Sequence, residues 1–184
     1  MKAKIWKTFW DHEKEEKWLN EMAAKGFAMT GYSWCCYTFE DCAPSEYIYR
    51  IEMLEHNVNH PESRKYIQFM EENCVEHVDT YYTWAYFRKK ATDGTFKIYS
   101  DLDSRIKHYQ RISNLWLVLG YVELSVSFSL IGSVVSTLEN GSRYMFVNVV
   151  PLGMLFSMSI MFLGLWWRYT KKIKHLKRER EVQE

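Results

Sequence analysis

One stretch of this chain has almost no charge, and the rest has no long apolar run. Residues 115–167 carry only Glu123, Glu139 and Arg143 among Asp, Glu, Lys and Arg, whereas residues 1–114 hold 18 acids and 16 Lys or Arg. That split excludes a single soluble domain. Also missing are the phosphate-cradling G-x-x-x-x-G-K-[ST] and G-x-G-x-x-G loops, the G-x-S-x-G elbow, H-E-x-x-H and any C-x-x-C pair. No catalytic residue, metal ligand or cofactor is assigned on this basis, and the chain is read as a non-enzyme. With 24 Lys and Arg against 23 Asp and Glu, nothing favours direct contact with nucleic acid. Three prolines and eight glycines in 184 residues leave no Pro-rich or Gly/Ser-rich tether.

The uncharged stretch divides into two spans. Residues 115–138 contain one charge, Glu123, and residues 146–167 contain none. Each exceeds the roughly 20 apolar residues that cross a bilayer core. The polar residues 139–145 between them, with an Asn140-Gly141 breaker, make the pair a helical hairpin. Arg105, Lys107 and Arg111 precede the first span, and the basic tail 168–184 follows the second. The positive-inside rule therefore predicts a multi-pass protein of the cell membrane, both termini cytoplasmic and the loop outside. The N-terminal residues lack an apolar signal region, and the tail is suited to contact anionic lipid.

Small residues recur within the spans: Ser125, Ser129, Gly132, Ser133 and Ser136 on the first, Gly153 and Ser157 on the second. Such spacing allows close helix approach, either within the hairpin or between copies in a homo-oligomer. Glu123 lies about two turns in, where an embedded charge costs roughly 2.5–3.5 kcal/mol, so it is an intramembrane candidate.

In residues 1–97, alternation marks strands at Ile5–Trp10 and Tyr47–Leu54, and Phe27–Phe39 is an aromatic stretch broken at Gly31. Asp11 caps a helix whose apolar face is Trp18, Leu19, Met22 and Ala23, with Glu15, Glu16 and Glu21 read as its solvated face. Pro61 opens a second helix ending near Asn73, and strands follow at Val75–Val78 and Thr83–Arg88. The order β-α-β-β-α-β predicts an α+β, ferredoxin-like sandwich. A faint echo, Trp34–Phe39 against Trp84–Phe87, suggests an internal repeat. Residues 98–114 read as an amphipathic connector helix running into the first span, with Ser100 and Asp103 as its capping pair.

Cys35, Cys36, Cys42 and Cys74 are expected to be reduced and buried as small apolar groups, despite the C-x-x-H spacing of Cys74 and His77. His56 and His60 fall in a loop, where their spacing carries no argument. What stands out is aromatic content: 8 Trp, 13 Tyr and 10 Phe. A sheet this small cannot hide all of them on one face, so Trp10, Trp34, Trp84 and Tyr86, with Arg50 and Arg88 nearby, are candidates for binding a partner.

Several spaced blocks resemble one family. These are Phe9-Trp10-Asp11, Glu15–Ala23, Tyr37–Glu40, Tyr47–Arg50, Tyr86–Lys90 and Ile98–Asp101. They resemble a domain of unknown function found in membrane proteins of Gram-positive bacteria, over roughly residues 5–112. Cys74 departs from that pattern, which commonly ends the second helix with Gly. The family brings no catalytic residues. Its members often accompany PadR-type winged-helix transcriptional regulators, which implies a regulatory role at the membrane with such a regulator as protein partner. The expected function is thus a membrane-anchored regulatory or adaptor protein. The alternative is a small oligomeric transport or resistance component built on the hairpin and Glu123.

Overall fold

The computed structural model describes residues 2–99, 101–139 and 145–183. They form two compact units, Met1–Ser100 and Asp101–Glu184. The first contains β1 (Ala3–Trp6), α1 (His12–Ala24), β2 (Phe27–Ser33), β3 (Cys36–Asp41), β4 (Tyr47–Met53), α2 (Pro61–Glu72), β5 (Glu76–Tyr81) and β6 (Trp84–Lys90). The second contains α3 (Leu102–Glu139) and α4 (Met145–Gln183). An α+β domain followed by a helical hairpin is what the sequence implies. The strand count differs: six strands form two antiparallel three-stranded sheets, β1-β3-β2 and β4-β6-β5, in place of one ferredoxin-like sheet.

The two sheets are one unit used twice. Each is β-α-β-β with its third strand central. Each has a bulge at the same place, between Met29 and Gly31 and between His77 and Asp79, 48 positions apart. The bulge faces Phe39 and Thr38 in the first unit and Phe87 and Tyr86 in the second. The helices end alike as well. Gly26 (φ 86°) closes α1 and Cys74 (φ 60°), 48 positions on, closes α2. Only Gly enters this left-handed region without steric cost, so Cys74 holds a backbone conformation that Gly would adopt more readily.

Local chemistry fixes the ends. The Asp11 carboxylate accepts from the Glu13 N–H at 3.1 Å, and His60 Nδ1 accepts from the Glu62 N–H at 3.3 Å ahead of Pro61. The first strand stops at Trp6, short of the expected Trp10, because its partner β3 begins at Cys36; the Lys7 N–H still reaches the Cys35 carbonyl of the preceding turn at 2.9 Å. Two apolar clusters follow from strand alternation. Tyr86 of β6 joins Leu19, Met22, Met29, Tyr37, Phe39, Tyr49 and Ile51, while Ala85 and Phe87 on the opposite face join Leu54, Met70, Val75 and Phe96.

In the second unit α3 runs unbroken, so the connector and first span are a single helix. Its first turn is capped by Asp101, which accepts from the Ser104 N–H at 2.8 Å. The basic tail likewise continues α4. At about 1.5 Å per residue both helices are far longer than a bilayer core of about 30 Å. Both are long and apolar enough to cross a membrane. The loop 140–144 lies outside the described residues.

The helices pack along a ladder: Tyr109 by Tyr169 (6.1 Å between ring centres), Ser113 by Thr170 (3.3 Å), Trp116 stacked on Phe162 (5.5 Å), and Gly120 against Leu163. The Ser159 hydroxyl donates to the Gly120 carbonyl at 3.3 Å. The expected small-residue stripe is not at this seam. Ser125, Ser129 and Ser136 donate to carbonyls of their own helix, Ser133, Gly132, Gly153 and Ser157 are exposed, and neither glycine has an atom near its Cβ position. Bulky residues on the other face set the closest approach at Gly120, which turns that stripe outward.

Replacing Cys74 by Gly is expected to stabilise the N-terminal domain by about 1 kcal/mol, because it removes left-handed strain. The check is denaturant unfolding of the full-length protein followed by Trp fluorescence; a midpoint unchanged or lowered would count against this account of the helix end.

Candidate functional site

The most unusual group in the N-terminal unit is an acid on an apolar face. Glu15 sits one turn before Leu19 and two before Met22, so the periodicity that buries them buries it too. It is 8% exposed, where the sequence suggested a solvated helix face. Its carboxylate accepts from the Tyr37 hydroxyl of β3 and the Tyr86 hydroxyl of β6, each at 2.7 Å and both on Oε1. One oxygen thereby ties the first β-α-β-β unit to the second. Among the described residues it forms no ion pair. Burial raises its pKa above the ordinary 4.5, and the two phenol hydroxyls pull only part of the way back. Burial and the facing carboxylate hold both phenols well above the usual tyrosine range. Tyr32 is pushed up to about 12, chiefly by burial.

Aromatic rings enclose this carboxylate. Tyr37 lies 4.8 Å from Trp18 and 4.8 Å from Tyr32, and Tyr32 lies 5.2 Å from Tyr86. Glu16, by contrast, points sideways. It accepts from the Ile51 N–H at 3.1 Å and pairs with Arg50 at 3.2 Å, while Asn20 both donates to and accepts from the main chain of Tyr49. Glu21 is exposed.

The six partner-binding candidates separate. Trp10 and Trp34 are exposed. Trp84 is partly buried against the core with its ring 5.6 Å from His12, and Tyr86 is buried on Glu15, so the face that carries them is covered. Arg50 is held by Glu16 and by the carbonyls of Tyr49 and Phe96. Arg88 clasps Glu76 through two nitrogens, donates to the Met29 carbonyl at 3.1 Å and lies 4.4 Å from the Tyr47 ring centre. It lines an open groove of about 510 Å³ with Glu71, Cys74 and Lys90. Glu123 is half-buried, and its carbonyl accepts from the Ser127 hydroxyl.

Sequence reasoning missed three exposed aromatics and one cluster. Trp6, Tyr82 and Phe69 are 71%, 73% and 57% exposed. His56, His60 and Glu62 bring ligand-type atoms within 4.8 Å of one another at the mouth of α2, all on the surface. None of the four cysteines is buried, contrary to expectation, because Cys35, Cys36, Cys42 and Cys74 all sit in or beside turns.

A duplicated α+β domain ahead of two helices able to cross a membrane sets the class of protein. Residues 11–121 match the family described as protein of unknown function DUF2812, and the chain belongs to that family. The matched segment begins at the cap of α1 and ends inside α3, so the family pattern includes the duplicated domain from α1 onward and the start of the hairpin. No curated protein and no solved structure matches the chain.

Because the folded pKa of Glu15 lies above its unfolded value, wild-type stability should fall as pH rises from about 4.5 to that raised value, by at most about 1.4 kcal/mol per pH unit, and then level off. Glu15→Gln keeps an acceptor for both phenols and should be flat through this window and no less stable than wild type at neutral pH. Thermal transitions across pH decide the matter; a variant with the same slope as wild type assigns the effect to another group.

Proposed function

We propose that this chain is a membrane-anchored regulatory protein whose N-terminal domain docks a protein partner through the tips of its two equivalent hairpins. The observation that carries this reading is the placement of Trp34 and Tyr82. They occupy matching turns 48 positions apart, both with positive φ (44° and 57°), and both are 73% exposed. Asn or Gly would suit such turns, and a large aromatic there incurs backbone strain without core burial in return. The Tyr32 ring lies 5.3 Å from Tyr81, itself 5.1 Å from Tyr82, so the two turns adjoin. Trp6 pairs with Cys36 at the mouth of the first turn and widens the patch. Clustered exposed aromatics beside lysines such as Lys4 suit an apolar partner surface rimmed by acids.

The family resemblance favours a PadR-type transcriptional regulator as that partner. The cationic flanks of the hairpin favour both termini in the cytoplasm, where such a regulator would be met. α3 and α4 serve as the anchor.

Trp34→Ala with Tyr82→Ala is expected to abolish crosslinking to the partner in native membranes while shifting the unfolding midpoint by less than about 0.5 kcal/mol in free energy. Mass spectrometry of crosslinked material from both forms is the measurement. A regulator captured equally by both would overturn the assignment of the tips, and capture of the chain alone would overturn the adaptor reading.

A further inference from the structure

Two histidines and a glutamate converge where α2 begins, and no role described above uses them. His56 Nε2 lies 3.1 Å from Glu62 Oε2. The His56 and His60 ring centres are 4.1 Å apart, and the ligand-type atoms of all three residues lie within 4.8 Å of one another. The backbone that carries them is tied down. The His60 N–H donates to the Asn57 carbonyl at 2.9 Å, and the Asn59 N–H donates to the Asn57 side chain at 3.2 Å. The hydroxyl of Ser63, a residue only 4% exposed, donates to the His56 carbonyl at 3.0 Å. A buried anchor on α2 therefore holds the loop that presents His56 against the helix turn that presents Glu62.

We propose that His56, His60 and Glu62 bind a divalent ion of the zinc class through two imidazole nitrogens and one carboxylate oxygen. Imidazole with carboxylate suits zinc and its neighbours, whereas magnesium and calcium take oxygen ligands. Metal–ligand bonds of about 2.0–2.2 Å in a tetrahedral arrangement put the ligand atoms about 3.3 Å apart. The His56–Glu62 pair already has nearly that separation. The remaining closure is a side-chain rotation, because all three groups are exposed. The ion takes the place of the proton between His56 Nε2 and Glu62 Oε2, which is released to solvent. His60 gives up the hydrogen bond it accepts from the Glu62 N–H, which at 3.3 Å is long. Coordination through Nδ1 uses that lone pair directly, and coordination through Nε2 moves the ring proton onto Nδ1. A cation at a helix start opposes the helix dipole. Here the Glu62 carboxylate supplies the compensating charge, and Pro61 removes one of the N–H groups that would face the ion. Three protein ligands leave a fourth position for water. None of these residues belongs to the hairpin tips, so partner docking does not depend on this site.

The test uses the untagged full-length protein in detergent micelles, with its four cysteines alkylated so that thiolates do not take the metal. Zinc is titrated in competition with a chromophoric chelator, and magnesium is the control of equal charge. Wild type is expected to bind one zinc per chain and to keep it in excess magnesium. His56→Ala and Glu62→Gln should each weaken zinc binding at least about tenfold, since losing a group that merely orients a ligand already costs roughly 10–100-fold. His60→Ser separates ligand from cap, because Ser is itself a favoured cap. This variant should keep the zinc-free thermal transition of wild type and lose the zinc. Added zinc should raise the wild-type transition and leave that of His60→Ser in place. Undiminished zinc affinity in any of the three variants overturns the proposal, as does a wild type that binds no zinc. Displacement of the zinc by magnesium also overturns it, since that would mark a general anionic surface.

Discussion

The bond pair on Glu15 Oε1 is the constraint on which the N-terminal unit depends. Tyr37 belongs to one β-α-β-β unit and Tyr86 to the other, and both hydroxyls converge on a single oxygen. Hydrogen bonds to a charged acceptor contribute about 1.5–3 kcal/mol each. A buried carboxylate costs several kcal/mol. The two amounts are of similar size, so the hydrogen bonds from Tyr37 and Tyr86 offset much of the cost of burying the carboxylate. An apolar residue at position 15 would avoid that cost but leave both phenols buried without an acceptor.

The neighbours of Glu15 on α1 solve a different problem. A strand at a sheet edge presents unpaired N–H and C=O groups that invite pairing with other chains. The outer edge of β4 is closed by Glu16 accepting from the Ile51 N–H and by Asn20 bonding Tyr49 in both directions. The equivalent edge of the first unit, β1, has a different defence: it is four residues long, with exposed Lys2 and Lys4. Thus α1 carries an inward acid that joins the units and a lateral acid and amide that seal a strand.

Much of this was legible in the residues. Asp11, Pro61 and Gly26 mark helix ends by local chemistry that acts within a few positions. The hairpin spans follow from charge depletion alone. Glu15 was misread because Glu13-Lys14-Glu15-Glu16 looks like a solvated charge run, although its spacing to Leu19 and Met22 places it on the buried face. The small-residue stripe lies off the α3–α4 seam for a related reason. Serines every four residues describe a face of α3 without saying which face α4 meets, and the bulk of Trp116 and Phe162 on the other side decides it. The two-sheet arrangement depends on long-range pairing that local alternation cannot specify.

Duplication gives two equivalent helices, yet their surroundings are unequal. α1 packs on β2 of its own unit and on β4 of the other, whereas α2 packs on β5 of its own. Burial follows: α1 buries Glu15, Leu19, Met22 and Ala23, while α2 buries Ser63 and Met70 and leaves Phe69 exposed. A polar group on the central helix is enclosed by both units and therefore acts on both. On the peripheral helix the same group would meet water. The acid that joins the units, the side chains that seal β4 and the rings that surround the carboxylate consequently gather about α1, where a change at one residue is felt across the seam.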